Sequence, residues 1–210
     1  SIRNAEFFEL LVKGVIQFIR SKRGEFFQLD MRLRPYGQDG PMAVSLESFC
    51  NYYGNEGKAH IYERLAMVRL RSFGGDQELG QRIERLRDEF VYSSIAEEDI
   101  EELWKLRKKQ FEEKHIYGQY NVKFSPGALV GLEYAVQLLQ MIHGRKHKAL
   151  RTPYIHVALL GLAEASLIDE ADRDVHTDAY YFLRGLVNGL RMLRGNAKDL
   201  YIPKPDTEEY

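Results

Sequence analysis

Over residues 27–34 the chain alternates apolar and polar side chains. Phe27, Leu29, Met31 and Leu33 fall between Gln28, Asp30, Arg32 and Arg34. A period of two predicts a half-buried β-strand. Pro35 closes it, having no N–H for a ladder, and Gly37, Gly40 and Pro41 turn the chain. Elsewhere the period is helical. Phe7, Phe8, Leu11, Val12, Val15, Ile16 and Ile19 predict an amphipathic helix over 6–21 with a wide buried face, broken by Gly24. Ser45 is placed to cap a helix over 46–53 and Asp76 one over 76–91, the latter with a narrow Leu79, Ile83, Leu86, Phe90 stripe. Between them a helix is expected over 58–71. The helix over 97–114 carries its acids first and its bases later, which complements the helix dipole. Three more follow: Ser125-Pro126 to His143, closed by Gly144; Thr152-Pro153 to about Ser166; and Asp169 to about Arg194. Residues 201–206 read as an exit linker. The fold class is therefore mainly α. A lone strand needs neighbours for its backbone groups, and Met42–Val44 is a short strand at best, so the chain reads as a piece of something larger.

Composition adds limits. At 210 residues the chain can hold one or two domains with a sizeable core. A net charge of −1 gives no pull toward nucleic acid or membrane surfaces, and no apolar run is long enough for a bilayer. The first residues do not form a signal peptide. The single cysteine, Cys50, excludes an intrachain disulfide and suits a reducing cytoplasm; beside aromatics it reads as a small core residue.

Candidate chemistry centres on Asp30, Arg32 and Arg34. One reading is a strand whose outer face pairs its own charges. The other is that Asp30 holds a divalent metal while the arginines face phosphate oxygens, because hard cations take carboxylates and phosphate suits guanidinium forks. Glu63, Arg64, Arg69 and Arg71 read as a solvated helix face. His143 and His147 have the spacing of a metal pair, but Gly144 ends the helix between them and no third ligand is evident. Asp172-Arg-Asp174 lies on a helix of the bundle and is expected to be exposed.

Leu29-Asp-Met-Arg-Leu-Arg-Pro-Tyr-Gly-Gln-Asp-Gly-Pro41 resembles the signature of the glutamine synthetase adenylyltransferase family, enzymes that attach AMP to a tyrosine of glutamine synthetase and remove it. Tyr62-Glu-Arg-Leu-Ala-Met-Val-Arg-Leu-Arg71, Lys123 to Gln137, Leu150-Arg-Thr-Pro153 and Tyr181-Phe-Leu-Arg184 resemble further blocks of that family in the same order. The resemblance implies the end of an α/β nucleotidyltransferase-like domain, 1–118, in which the helix carrying Glu63, Arg64, Arg69 and Arg71 packs beside the nucleotide site, followed by an all-helical bundle domain, 119–210. The bundle helices from Ser125 to Arg194 supply their own apolar faces and are expected to fold by themselves. It implies a cytoplasmic enzyme of nitrogen regulation with ATP as substrate and Mg2+ as cofactor. Asp30 is then the catalytic carboxylate and metal ligand, and Arg32 and Arg34 bind the nucleotide. Glutamine synthetase is the implied partner, with a PII-type regulatory protein as a second. The wording of the first two blocks is somewhat closer to the family's AMP-removing half. Two departures stand out. No Gly-Ser turn and no Asp-x-Asp pair precede Asp30, so this chain alone is expected to be inactive. Gly131 stands where the third block often has an acid, although Glu133 remains. The alternative is a non-catalytic module whose helices dock a nitrogen-signalling protein.

Overall fold

A computed structural model describes residues 3–23, 29–54, 57–195 and 199–202 of the chain. Gly24, the first two residues of the expected strand (Phe27 and Gln28) and residues 203–206 of the expected linker lie outside these. The fold is mainly α: among the described residues there are eight α-helices and no strand. Two compact units divide between Val91 and Tyr92, upstream of the 118/119 boundary that the family resemblance implies.

The first unit contains α1 (Asn4–Arg23), α2 (Leu46–Tyr53), α3 (Ile61–Met67) and α4 (Gln77–Val91). Ser45 caps α2 as expected, its hydroxyl accepting from Ser48 N at 3.1 Å. Asp76 holds the start of α4 through Leu79 N at 2.7 Å. Buried Phe49, Tyr52 and Tyr53 of α2 join Leu65, Met67 and Val91 in the core, with the Tyr53 and Phe90 rings 5.3 Å apart. Three expectations are corrected. First, α1 forms, but of its apolar stripe only Ile16 is buried; Phe7, Phe8, Leu11 and Val15 are about half exposed, because no other described element packs along them. Second, α3 is much shorter than 58–71. Its end tightens into a turn in which the N–H groups of Val68, Arg69 and Leu70 each bond to the carbonyl three residues back. Third, described residues Leu29–Arg34 form no strand. No neighbouring strand offers them a ladder, so their polar groups are satisfied locally: Arg32 N donates to Asp30 Oδ1, and Arg34 to three backbone carbonyls.

The second unit contains α5 (Glu97–Lys114), α6 (Leu129–His143), α7 (Ile155–Glu164) and α8 (Glu170–Arg194). The order of charges along α5 and the Asp169 cap of α8 (Asp172 N to Oδ1, 2.7 Å) are as the sequence suggests. Gly144 closes α6, but its start is later than Ser125. Ser125–Gly127 form a turn, in which Ser125 Oγ accepts from Asn121 N at 2.9 Å and Gly127 takes φ +73°. Val136, Leu150, Ile155, Leu159 and Leu162 form one buried cluster; Val122, Leu129, Leu183, Val187, Leu190 and Leu200 form another. Tyr201 and Ile202 correct the start of the linker reading. Val122 N donates to Leu200 O and Ile202 N to Tyr120 O, both at 2.9 Å, around an antiparallel bridge between Asn121 and Tyr201. Residues 199–202 therefore belong to the fold. No described helix is long and apolar enough to cross a membrane.

Candidate functional site

The first unit holds a cleft of about 990 Å³ whose rim carries Asp30 and Arg32. Tyr36, Tyr52, Lys58, His60, Tyr62 and Glu63 also line it. The turn after Pro35 sets one side. Tyr36 and Gly37 both have positive φ (64° and 59°), and a Cβ on Gly40 would lie 1.9 Å from Pro35 O, so only glycine lets the turn close there. Arg34 stitches this turn together from outside the cleft, donating to Met31 O, to Gln38 O at 3.0 Å and to Gly40 O at 3.1 Å. Its guanidinium is thus occupied with backbone carbonyls, and Arg34 is not among the residues lining the cleft.

Asp30 and Arg32 are bound to each other in the lining of the cleft. Arg32 Nε donates to both carboxylate oxygens, at 2.8 and 3.0 Å. The hydrogen bond, and after it the charge of Asp30, raises the Arg32 pKa above its ordinary value. More than half of each side chain is exposed. An exposed pair of this kind contributes at most about 1 kcal/mol, so a stronger anion can take the guanidinium from Asp30.

Glu63 also lines the cleft. This carboxylate, 4% exposed, accepts from the Tyr52 hydroxyl at 3.1 and 3.2 Å and from His60 N at 2.9 Å. Burial, then the hydrogen bond to Glu63, raises the Tyr52 pKa. Arg64, 7% exposed, donates through Nε to Val91 O at 3.1 Å. The solvated-face reading of Glu63 and Arg64 is thereby corrected: both are buried because each has polar partners waiting. Lys58 and His60 precede α3 in extended chain, so alternate residues share a side and both reach the cleft. The His60 and Tyr62 rings stack, 5.5 Å apart and 10° from parallel. Tyr62 opens the second block singled out in the sequence; Lys58 and His60, just before it, carry no motif of their own, and only the fold shows that they line the cleft.

The fit of a divalent metal can be judged from donors. Mg2+ asks for oxygen ligands in an octahedron, typically one or two carboxylates with phosphates and waters. Asp30 has both oxygens on Arg32, Glu63 is committed to Tyr52 and His60, and no group of three or more candidate ligands converges among the described residues. The described residues do not by themselves make a metal site.

In the second unit two of the sequence blocks meet through an ion pair: Arg184 Nη2 donates to buried Glu133 Oε1 at 2.7 Å. A third block joins them where Gln140 Nε2 donates to Leu150 O and Thr152 O, at 2.6 and 2.8 Å. These residues hold α6, α7 and α8 in register. Asp172 and Asp174 are exposed at the start of α8.

Comparison with known proteins bears on both units. Residues 1–86 match the glutamate-ammonia ligase adenylyltransferase family, and residues 94–202 match the GlnD PII-uridylyltransferase family. Among curated proteins, the chain is 33% identical over 198 residues to the bifunctional glutamine synthetase adenylyltransferase/adenylyl-removing enzyme of Idiomarina loihiensis, covering 92% of this chain and 21% of that protein. The enzyme of the same description from Nitrosococcus oceani is 31% identical over 92% of this chain and 20% of its own length. That of Mycobacterium bovis is 33% identical over 92% and 19%. The chain thus spans about a fifth of the length of the curated relatives it matches.

Proposed function

The chain belongs to the glutamine synthetase adenylyltransferase family, and we propose that it serves as one segment of an enzyme that moves AMP onto or off a tyrosine of glutamine synthetase. The observation that carries this reading is the convergence of two separate sequence blocks, Leu29–Pro41 and Tyr62–Arg71, on a single cleft. That cleft offers what a nucleotide needs: exposed Arg32 and Lys58 for phosphates, and the stacked His60–Tyr62 rings as an aromatic wall. Arg32 rests on Asp30 until phosphate oxygens draw it away, and its departure frees the Asp30 carboxylate beside the same phosphate. We propose Asp30 as the catalytic carboxylate and Arg32 as a nucleotide contact. Arg34 serves the nucleotide only indirectly, by fixing the turn. Any Mg2+ that Asp30 helps to hold would need ligands beyond the described residues. ATP as substrate, a cytoplasmic setting and a PII-type protein as a second partner complete the proposal; the last rests on the likeness of residues 94–202 to the PII-uridylyltransferase family.

The test is to place this segment in a full-length relative in exchange for the matching fifth, and to follow AMP on glutamine synthetase. Asp30→Asn should cut turnover on the order of a thousandfold with melting unchanged. Arg32→Ala should weaken nucleotide binding by roughly 1.5–3 kcal/mol. Near-normal turnover with Asp30→Asn would reduce Asp30 to an ordinary surface carboxylate and remove the reading.

A further inference from the structure

Tyr36 sits where the backbone asks for glycine. Gly37 N donates to Arg34 O at 2.8 Å, closing a turn with Pro35 and Tyr36 at its centre. Proline is ordinary at the first central position. At the second, Tyr36 has φ 64° and ψ 17°, the left-handed region, which glycine enters freely and a bulky L side chain rarely occupies. The conformation is held from outside the turn by Arg34, which donates to Met31 O, Gln38 O and Gly40 O.

Packing alone does not account for the ring. Tyr36 lines the cleft and is 56% exposed. Its one ring contact among the described residues is edge to face with Tyr52, centroids 4.9 Å apart and planes at 64°. Such a contact covers at most one face of the ring. Tyr52 is itself fixed through its hydroxyl to Glu63, so the Tyr36 ring is braced while a face stays open. The His60 and Tyr62 rings differ: they stack on each other, 10° from parallel, and each covers a face of its neighbour. Tyr36 is also the cleft ring whose backbone strain a glycine would remove.

We propose that Tyr36 is the base-stacking residue of the cleft, its open face carrying the nucleobase while Arg32 and Lys58 serve the phosphates. The inference rests on the reading of the cleft as a nucleotide site. Every base has a π-face, so this contact supplies affinity and placement and leaves base identity to polar groups of the cleft.

Two probes, ATP and inorganic tripolyphosphate, are titrated calorimetrically into the 210-residue chain. Tripolyphosphate has the charges and no base. Tyr36→Gly should weaken ATP about 5- to 150-fold, the loss that corresponds to one stacked base, and leave tripolyphosphate within about twofold. Tyr36→Phe keeps the ring and should bind both as the wild type does. An equal loss of both ligands in Tyr36→Gly would make Tyr36 a support of the turn and overturn the stacking role. ATP binding that Tyr36→Gly leaves intact would overturn it too, with the nucleotide reading of the cleft still standing. If the wild-type chain binds neither probe, that reading falls and the stacking role falls with it.

Discussion

A buried carboxylate is tolerated when its lone pairs are used, and Glu63 spends its own on the Tyr52 hydroxyl and the His60 N–H. Glu63→Gln keeps the shape but weakens both contacts, and should destabilise the first unit by about 1–3 kcal/mol in denaturant unfolding. Tyr52→Phe should cost less, about 0.5–1.5 kcal/mol, and the double variant should fall short of the sum because the two changes remove one shared bond. Simple additivity would mean the bond contributes nothing. His143 gives a pH dependence. Burial, then His147 and Lys146, depresses its pKa below the ordinary 6.5. The folded chain thus binds this proton more weakly than the unfolded chain does. Its contribution is fully present above pH 6.5 and is lost as pH falls through the folded pKa. Unfolding free energy should drop between pH 7 and 5, and His143→Gln should flatten that drop. None of these polar partnerships is visible in sequence, since Glu63 meets Tyr52 across the chain. What was visible was the block around Glu63, without its burial.

At the level of elements, helices and their ends were legible because their causes are local. Ser45, Asp76, Asp169 and Gly144 each act within one turn of their own position. The strand over 27–34 was not, because pairing is a property of two segments and periodicity reports only one. Helix α1 marks a second limit: an apolar stripe predicts a helix but not what covers it. Phe8 and Leu11, each 50% exposed, should tolerate serine at a cost within about 0.5 kcal/mol to the stability of this 210-residue chain. Leu103 of α5, fully buried, should lose about 2–5 kcal/mol on truncation to alanine. Equal losses from the two helices would mean that α1 packs against something the structure does not show.

At the scale of the whole molecule, the question is where a self-sufficient piece begins. Charge order marked α5 as a stable helix but gave no clue to which side it belonged. The 1–118 division implied by the family resemblance placed it with the first part. Packing assigns it otherwise. Leu103 is fully buried, Arg107 donates to Phe124 O, and the Tyr134 hydroxyl on α6 donates back to Leu103 O. At the other end Leu200, 1% exposed, closes the cluster of Val122, Leu129 and Val187, and the Tyr201 hydroxyl donates to Lys114 O at 2.6 Å. A bundle cut at 125–194 would therefore lose Leu103, Val122 and Leu200 from its core and leave Leu129 and Leu183 facing water. Removing three buried apolar side chains withdraws several kcal/mol, a large share of what a domain of this size has in total. A chain of residues 92–202 should melt cooperatively and keep its near-UV circular dichroism. The 125–194 chain should show far-UV helix signal with a broad, weakly cooperative transition and little near-UV signal. A sharp two-state melt of 125–194 would return the boundary to the neighbourhood of residue 118 and make α5 an accessory to the bundle.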